Sequence, residues 1–166
     1  MKRTAYTLLS ALVLMGTVIL HSCSGDSDCS LSTQSQAHFS FLSSASHSPI
    51  KWTVPITVSR TVSFNGEEKT DTIINKEKNL SALRLPLSYT EKTVFTIHYN
   101  EKIQDVIQVT HKNIPYVTDL ECGTMMFHHI DDLAYTTNAL DSIVLVNPDV
   151  NNEEKQNFTI YYTIDE

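Results

Sequence analysis

Four potential metal ligands crowd into five residues at His128-His129-Ile130-Asp131-Asp132. Imidazole and carboxylate are zinc ligands, but in an extended chain successive side chains alternate between faces. His129 and Asp131 would then share one face and His128 and Asp132 the other, so a single ion could not take all four. The segment reads instead as a solvated rim of a β domain. The run Asn147-Pro148-Asp149-Val150-Asn151-Asn152-Glu153-Glu154 places side-chain oxygens at every second position, as calcium loops do. It lacks the glycine of the sixth position, and Phe158 stands at the twelfth, where a bidentate carboxylate belongs. An acidic hairpin loop explains it better, and no metal or other cofactor is expected.

Nucleophilic chemistry has little to build on. Serines are many and histidines number seven, yet no G-x-S-x-G elbow is present. The carboxylate pairs Glu67-Glu68 and Glu153-Glu154 fall in expected loops without apolar neighbours to raise a pKa. The chain is therefore read as a non-enzyme. Exposed Trp52, Tyr116 or Tyr161 could offer a stacking platform to a sugar, although the strand pattern puts Trp52 on the core side.

The start of the chain carries the firmest chemistry. Lys2 and Arg3 precede an uncharged, mostly apolar run over residues 5–20, the layout of an export signal and too short for a spanning helix. Leu20-His21-Ser22-Cys23 resembles the lipobox cut by lipoprotein signal peptidase, with His21 departing from the usual small residue. The resemblance implies that residues 1–22 are a lipoprotein signal peptide and that Cys23 is lipidated, with two or more acyl chains giving a stable anchor. Residues 23–35 then form a Ser- and Asp-rich tether, and residues 36–166 one domain.

With Cys23 acylated, Cys29 and Cys122 are left as an even pair in an oxidising compartment. A Cys29–Cys122 disulfide would close a loop of roughly 90 residues, worth up to about 4 to 5 kcal/mol on the chain-entropy model. Two free thiols, or a metal pair with a histidine, are the alternatives. Lys2 and Arg3 leave with the signal, so of 12 basic residues 10 face 19 acidic ones in the mature chain. That balance disfavours nucleic acid and anionic membrane surfaces, leaving lipid as the membrane contact.

The elements that would position these groups are strands. Ala37, Phe39 and Phe41 alternate with polar residues, and Trp52, Val54, Ile56, Val58, Val62 and Phe64 share one parity. Pro55 removes a ladder donor from that run and predicts an edge or a bulge. Asn65-Gly66 signals a tight turn. Further strands are expected over 71–75 and 83–87, in a hairpin of 95–99 with 106–109, and over 116–122, ending at Gly123. Residues 124–137 read as a turn followed by a strand over 133–136. The last hairpin joins 142–146 to 158–164 through a polar loop. Eight or nine short strands without a long amphipathic helix predict an all-β, antiparallel two-sheet β-sandwich, Ig-like in type.

Ser24-Gly25-Asp26-Ser27-Asp28 after the lipobox resembles the acidic export signal of Bacteroidetes lipoproteins, implying display at the cell surface; the periplasmic face of the outer membrane is the alternative. Cys29-Ser30-Leu31, Leu83-Arg84-Leu85-Pro86-Leu87-Ser88-Tyr89, Glu121-Cys122-Gly123 and Leu140-Asp141-Ser142-Ile143 together resemble an uncharacterised family of small Bacteroidetes lipoproteins. That likeness implies no activity. Asp71-Thr72-Ile73 and Asp141-Ser142-Ile143 also match a short O-glycosylation pattern of that lineage, making Thr72 and Ser142 candidate acceptors. The expectation is an outer-membrane lipoprotein acting as a binding or structural module, its partner a protein of the cell envelope. The alternative is a glycan-binding accessory of a surface uptake system.

Overall fold

The computed structural model describes residues 35–119 and 123–164. Ten strands follow in chain order: β1 (Gln36–Ser43), β2 (Ile56–Phe64), β3 (Glu67–Glu77), β4 (Ala82–Pro86), β5 (Lys92–His98), β6 (Gln104–Asp119), β7 (Gly123–Tyr135), β8 (Ser142–Leu145), β9 (Asp149–Val150) and β10 (Phe158–Tyr162). They form the expected two-layer sandwich. One sheet has the order β4-β1-β10-β8 and the other β3-β2-β5-β6-β7-β9.

The alternation of β1 is the pattern of a strand with one dry face. Ala37, Phe39 and Phe41 are buried and meet Leu83 and Leu85 of β4, Ile160 and Tyr162 of β10, and Ile56, Val58, Phe95, Ile97, Ile107 and Val109 of the facing sheet. Pairing is antiparallel except between β1 and β10, which run parallel with Phe39 opposite Phe158. Those two rings stack at 4.4 Å.

Asn65 and Gly66 both adopt positive φ, at 52° and 83°, as a two-residue turn between twisted strands requires. Four expectations of strand extent are corrected. Residues 52–55 are not strand: Trp52 forms only an isolated bridge with Leu80, and β2 begins after Pro55, which has no N–H to donate. Val54, placed on the core parity, is 53% exposed. β3 runs the full Glu67–Glu77 instead of 71–75, because its backbone ladder to β2 holds it where its charged side chains give no hydrophobic period. β6 is one strand of 16 residues, and β7 is strand throughout where a turn was expected. Met125 and Phe127 lie opposite Tyr116 and Ile114 on the other face from Met126 and His128, so apolar residues on both faces hide the alternation.

A buried carboxylate ties the layers where the chain changes sheets between β7 and β8. Asp105 is 0% exposed, and accepts from the backbone N–H groups of Asn138 at 2.6 Å, Ala139 at 2.9 Å and Leu140 at 2.9 Å, and from Thr136 Oγ1 at 2.9 Å. Burial alone would raise its pKa; the three N–H groups and the hydroxyl outweigh this and hold it below the usual value. Each buried donor left without its acceptor would cost about 1–3 kcal/mol. Beside it Trp52 packs at a tilt on Tyr99 and Tyr162, which meet each other edge to face with their hydroxyls 3.0 Å apart.

Candidate functional site

Residues at odd positions of β6 point inward: Asp105, Ile107 and Val109 are buried. The same parity carries on to His111 and Asn113, so two polar side chains enter the layer between the sheets. On β7 an irregularity in register between Thr110 and His111 leaves Asp131 unmatched and switches the inward positions, so that Ile130 and His128 turn inward opposite His111 and Asn113. His111 is 1% exposed and His128 3%.

Asn113 organises the pair. Its Nδ2 donates to the carbonyls of Tyr89 at 2.7 Å and Thr90 at 3.3 Å, in the connection between β4 and β5. Its Oδ1 is thereby turned to the two imidazoles, 3.0 Å from His111 Nδ1 and 2.7 Å from His128 Nδ1. An amide oxygen only accepts, so both rings must carry their proton on Nδ1. His111 Nε2 is then an acceptor and lies 2.9 Å from the Thr93 hydroxyl, whose oxygen in turn accepts from the Ser88 N–H at 2.9 Å. His128 Nε2 is likewise an acceptor, with no hydrogen-bond partner among the described residues.

Both rings stay neutral. Burial pushes the His128 pKa down to about 4, with the nearby His111 adding to the shift. Burial also lowers that of His111, against the opposing pull of Asn113, Asp131 and Glu91. The ring centroids lie 5.0 Å apart, edge to face.

The part of His128 that is not covered lines a cavity of about 280 Å³, together with Ser35, Arg60, Pro86, Leu87, Tyr89 and Met126. The cavity opens between the layers, at the end where the chain enters β1. Arg60 of β2 crosses it, donating to the Pro86 carbonyl of the other sheet at 3.3 Å and to Asp71 at 3.0 Å. Its Nε–H is buried without a partner among the described residues. Ser35 Oγ donates to the Met126 carbonyl. Tyr89 stands at the rim, 82% exposed.

The residues of the His128–Asp132 run are separated by the fold. His128 is no part of a solvated rim: the register irregularity buries it beside His111. Its neighbours do face water, His129 Nδ1 lying 2.6 Å from Asp149 and Asp131 bonding Lys112 at 3.1 Å. Asn147 and Asn151 use their side-chain oxygens on the N–H groups of Asp149 and Glu153. Among the described residues no group of three or more His, Cys, Asp or Glu could hold a metal.

Trp52 packs on Tyr99 and Tyr162, Tyr116 stacks on Phe127 at 4.8 Å, and Tyr161 meets His47 edge-on. Thr72 is exposed on β3, and Ser142 is half-buried opposite Tyr161. Cys23, Cys29 and Cys122 lie outside the described residues. Arg60, His111 and Asn113 were not singled out from sequence, and Tyr89 only as the end of the Leu83–Tyr89 stretch. The available signal was polar side chains, His111 and Asn113, continuing the inward parity of Ile107 and Val109.

A family model, DUF6452, described as a family of unknown function, matches residues 55–162. The match spans β2 to β10 and leaves out β1, although β1 lies between β4 and β10 in the smaller sheet. No curated protein and no solved structure matches the chain.

A pH dependence follows from the buried imidazoles. Their folded pKa values lie below the ordinary 6.5, so the unfolded chain takes up protons first as pH falls. Stability should be at its full value above pH 6.5 and decline between 6.5 and about 4. The unfolding midpoint in urea, followed across that window, should fall in the parent chain and fall less in His128→Gln; equal slopes would contradict a neutral buried His128.

Proposed function

Because the chain belongs to the DUF6452 family, whose function is unknown, we propose a role from the site: a non-enzymatic binding module, anchored by lipid to the outer membrane, that takes a small ligand between its sheets. The observation that carries this is the fixed, neutral His128. A catalytic base works best with a pKa near the working pH. An imidazole at about 4 is a poor base at neutral pH but a good, permanently available hydrogen-bond acceptor. The hydroxyls behind it are no better as nucleophiles. Thr93 and Ser88 are 0% and 6% exposed and bond to one another.

The address rests on the residues ahead of the domain. The lipobox-like Leu20-His21-Ser22-Cys23 and the acids Asp26 and Asp28 support an outer-membrane lipoprotein of the Bacteroidetes type, carried on a short tether. Among the described residues no helix is long and apolar enough to cross a membrane, and the proposed anchor needs none. A Cys29–Cys122 bridge is the proposed covalent link between the segment ahead of the domain and the domain itself. Thr72, exposed on β3, and Ser142, half-buried on β8, are the proposed sugar acceptors.

Two outcomes follow. In cells making the full chain, the parent protein should fractionate with membranes and Cys23→Ala should appear in the soluble fraction; a variant that stayed on membranes would count against the anchor. Screening uncharged and charged small-molecule fragments against the isotopically labelled chain should move the His128 and Tyr89 resonances together. Hits confined to other surfaces would remove the cavity from the proposal.

A further inference from the structure

We propose that the cavity takes an uncharged, polyhydroxylated ring, a single sugar residue, with His128 accepting from one hydroxyl, Arg60 donating to another and Tyr89 covering a face. This deepens the ligand-binding reading above and rests on it.

Asn113 fixes the neutral His128 ring with its lone pair on Nε2, so the back of the cavity offers an acceptor that cannot become a donor by tautomer exchange without losing the amide contact, and burial opposes a second proton. A carboxylate or a fully ionised phosphate there would set lone pair against lone pair. Arg60 offers the opposite. It carries five N–H donors, of which one meets the Pro86 carbonyl and one Asp71, leaving others for a ligand at the cavity wall. Its charge is already balanced by Asp71 at 3.0 Å, so the pull on an anion is weakened.

A group that satisfies both walls must donate and accept, as a hydroxyl does. Neighbouring hydroxyls on one ring present that pairing in a fixed geometry.

The remaining walls suit the rest of such a ring. Pro86, Leu87 and Met126 are apolar surfaces for its C–H faces. Tyr89 is the most exposed of the large apolar or aromatic side chains described, and stands on the cavity rim. An aromatic side chain left in water at the mouth of a polar cavity gains by covering the apolar face of a ligand. A volume of about 280 Å³ is at the small end for ligand sites and suits one ring better than a chain. A longer glycan would enter by its terminal residue.

The test is a titration of the full chain, held in a detergent without a sugar headgroup, with histidine labelled in ¹³C and ¹⁵N. The probes are glucose, galactose, mannose and N-acetylglucosamine, with acetate and inorganic phosphate as the anionic set. At least one sugar should shift the His128 Nε2 resonance saturably, and acetate and phosphate should not. Tyr89→Ala, at an exposed position that the fold does not need, should weaken that sugar about tenfold. Movement by the anions with none by any sugar would overturn the ligand class while leaving a binding cavity in place. Movement by no probe would overturn both, and a sugar whose affinity is unchanged in Tyr89→Ala would overturn the site.

Discussion

The orientation of one side-chain amide sets the chemistry of this molecule. Asn113 spends its two N–H donors on the carbonyls of Tyr89 and Thr90, and everything at the open end of the sandwich follows from that. Its oxygen must face His111 and His128, both rings must be protonated on Nδ1, and one lone pair is left toward the cavity. Reversing the amide would lose both carbonyl contacts and set its oxygen against the Tyr89 and Thr90 carbonyls. Buried polar groups without partners cost about 1–3 kcal/mol each, so the alternative arrangement is strongly disfavoured. The same contacts hold Tyr89 at the rim, because its own carbonyl is one of the acceptors.

The sandwich supplies the rigidity that such a network needs. Arg60 comes from β2 and Pro86 from β4, so the hydrogen bond between them spans the two sheets across the cavity. Deeper in the layer, Asp105 holds the crossover from β7 to β8 by accepting four hydrogen bonds. The aromatic group of Trp52, Tyr99 and Tyr162 fills the space near it. β1 completes the smaller sheet between β4 and β10 although it lies outside the residues matched to the family model. Its first residues lead from Ser35, which itself bonds β7 at Met126. Ser35, just ahead of β1, is therefore joined to the cavity wall.

Strands with one dry and one wet face were legible in the sequence. Ala37, Phe39 and Phe41 of β1, Leu83 and Leu85 of β4, and Phe95 and Ile97 of β5 keep strict alternation, and Asn65-Gly66 marks its turn. The full lengths of β3 and β7 were hidden for opposite reasons. β3 is charged along both faces outside Ile73 and Ile74, which pack on the core, so its ends are carried by the backbone ladder, whereas β7 has apolar residues on both faces around Met125 to Phe127. The site was less legible because it joins residues far apart in the chain: Arg60, Tyr89, Asn113 and His128 meet only once β2, β6, β7 and the β4–β5 connection are assembled. Even the conspicuous His128-His129 pair misled, since the register irregularity near Asp131 buries one ring and leaves the other in water.

The proposed binding module, with a preformed hydrogen-bonding cavity between its sheets, joins these features. Its central claim is the protonation pattern that Asn113 imposes. The direct measurement is the ¹⁵N chemical shifts of the His111 and His128 imidazoles at neutral pH. The account predicts a protonated Nδ1 and a bare Nε2 on both rings. An Nε2-protonated tautomer or an imidazolium at His128 would contradict it.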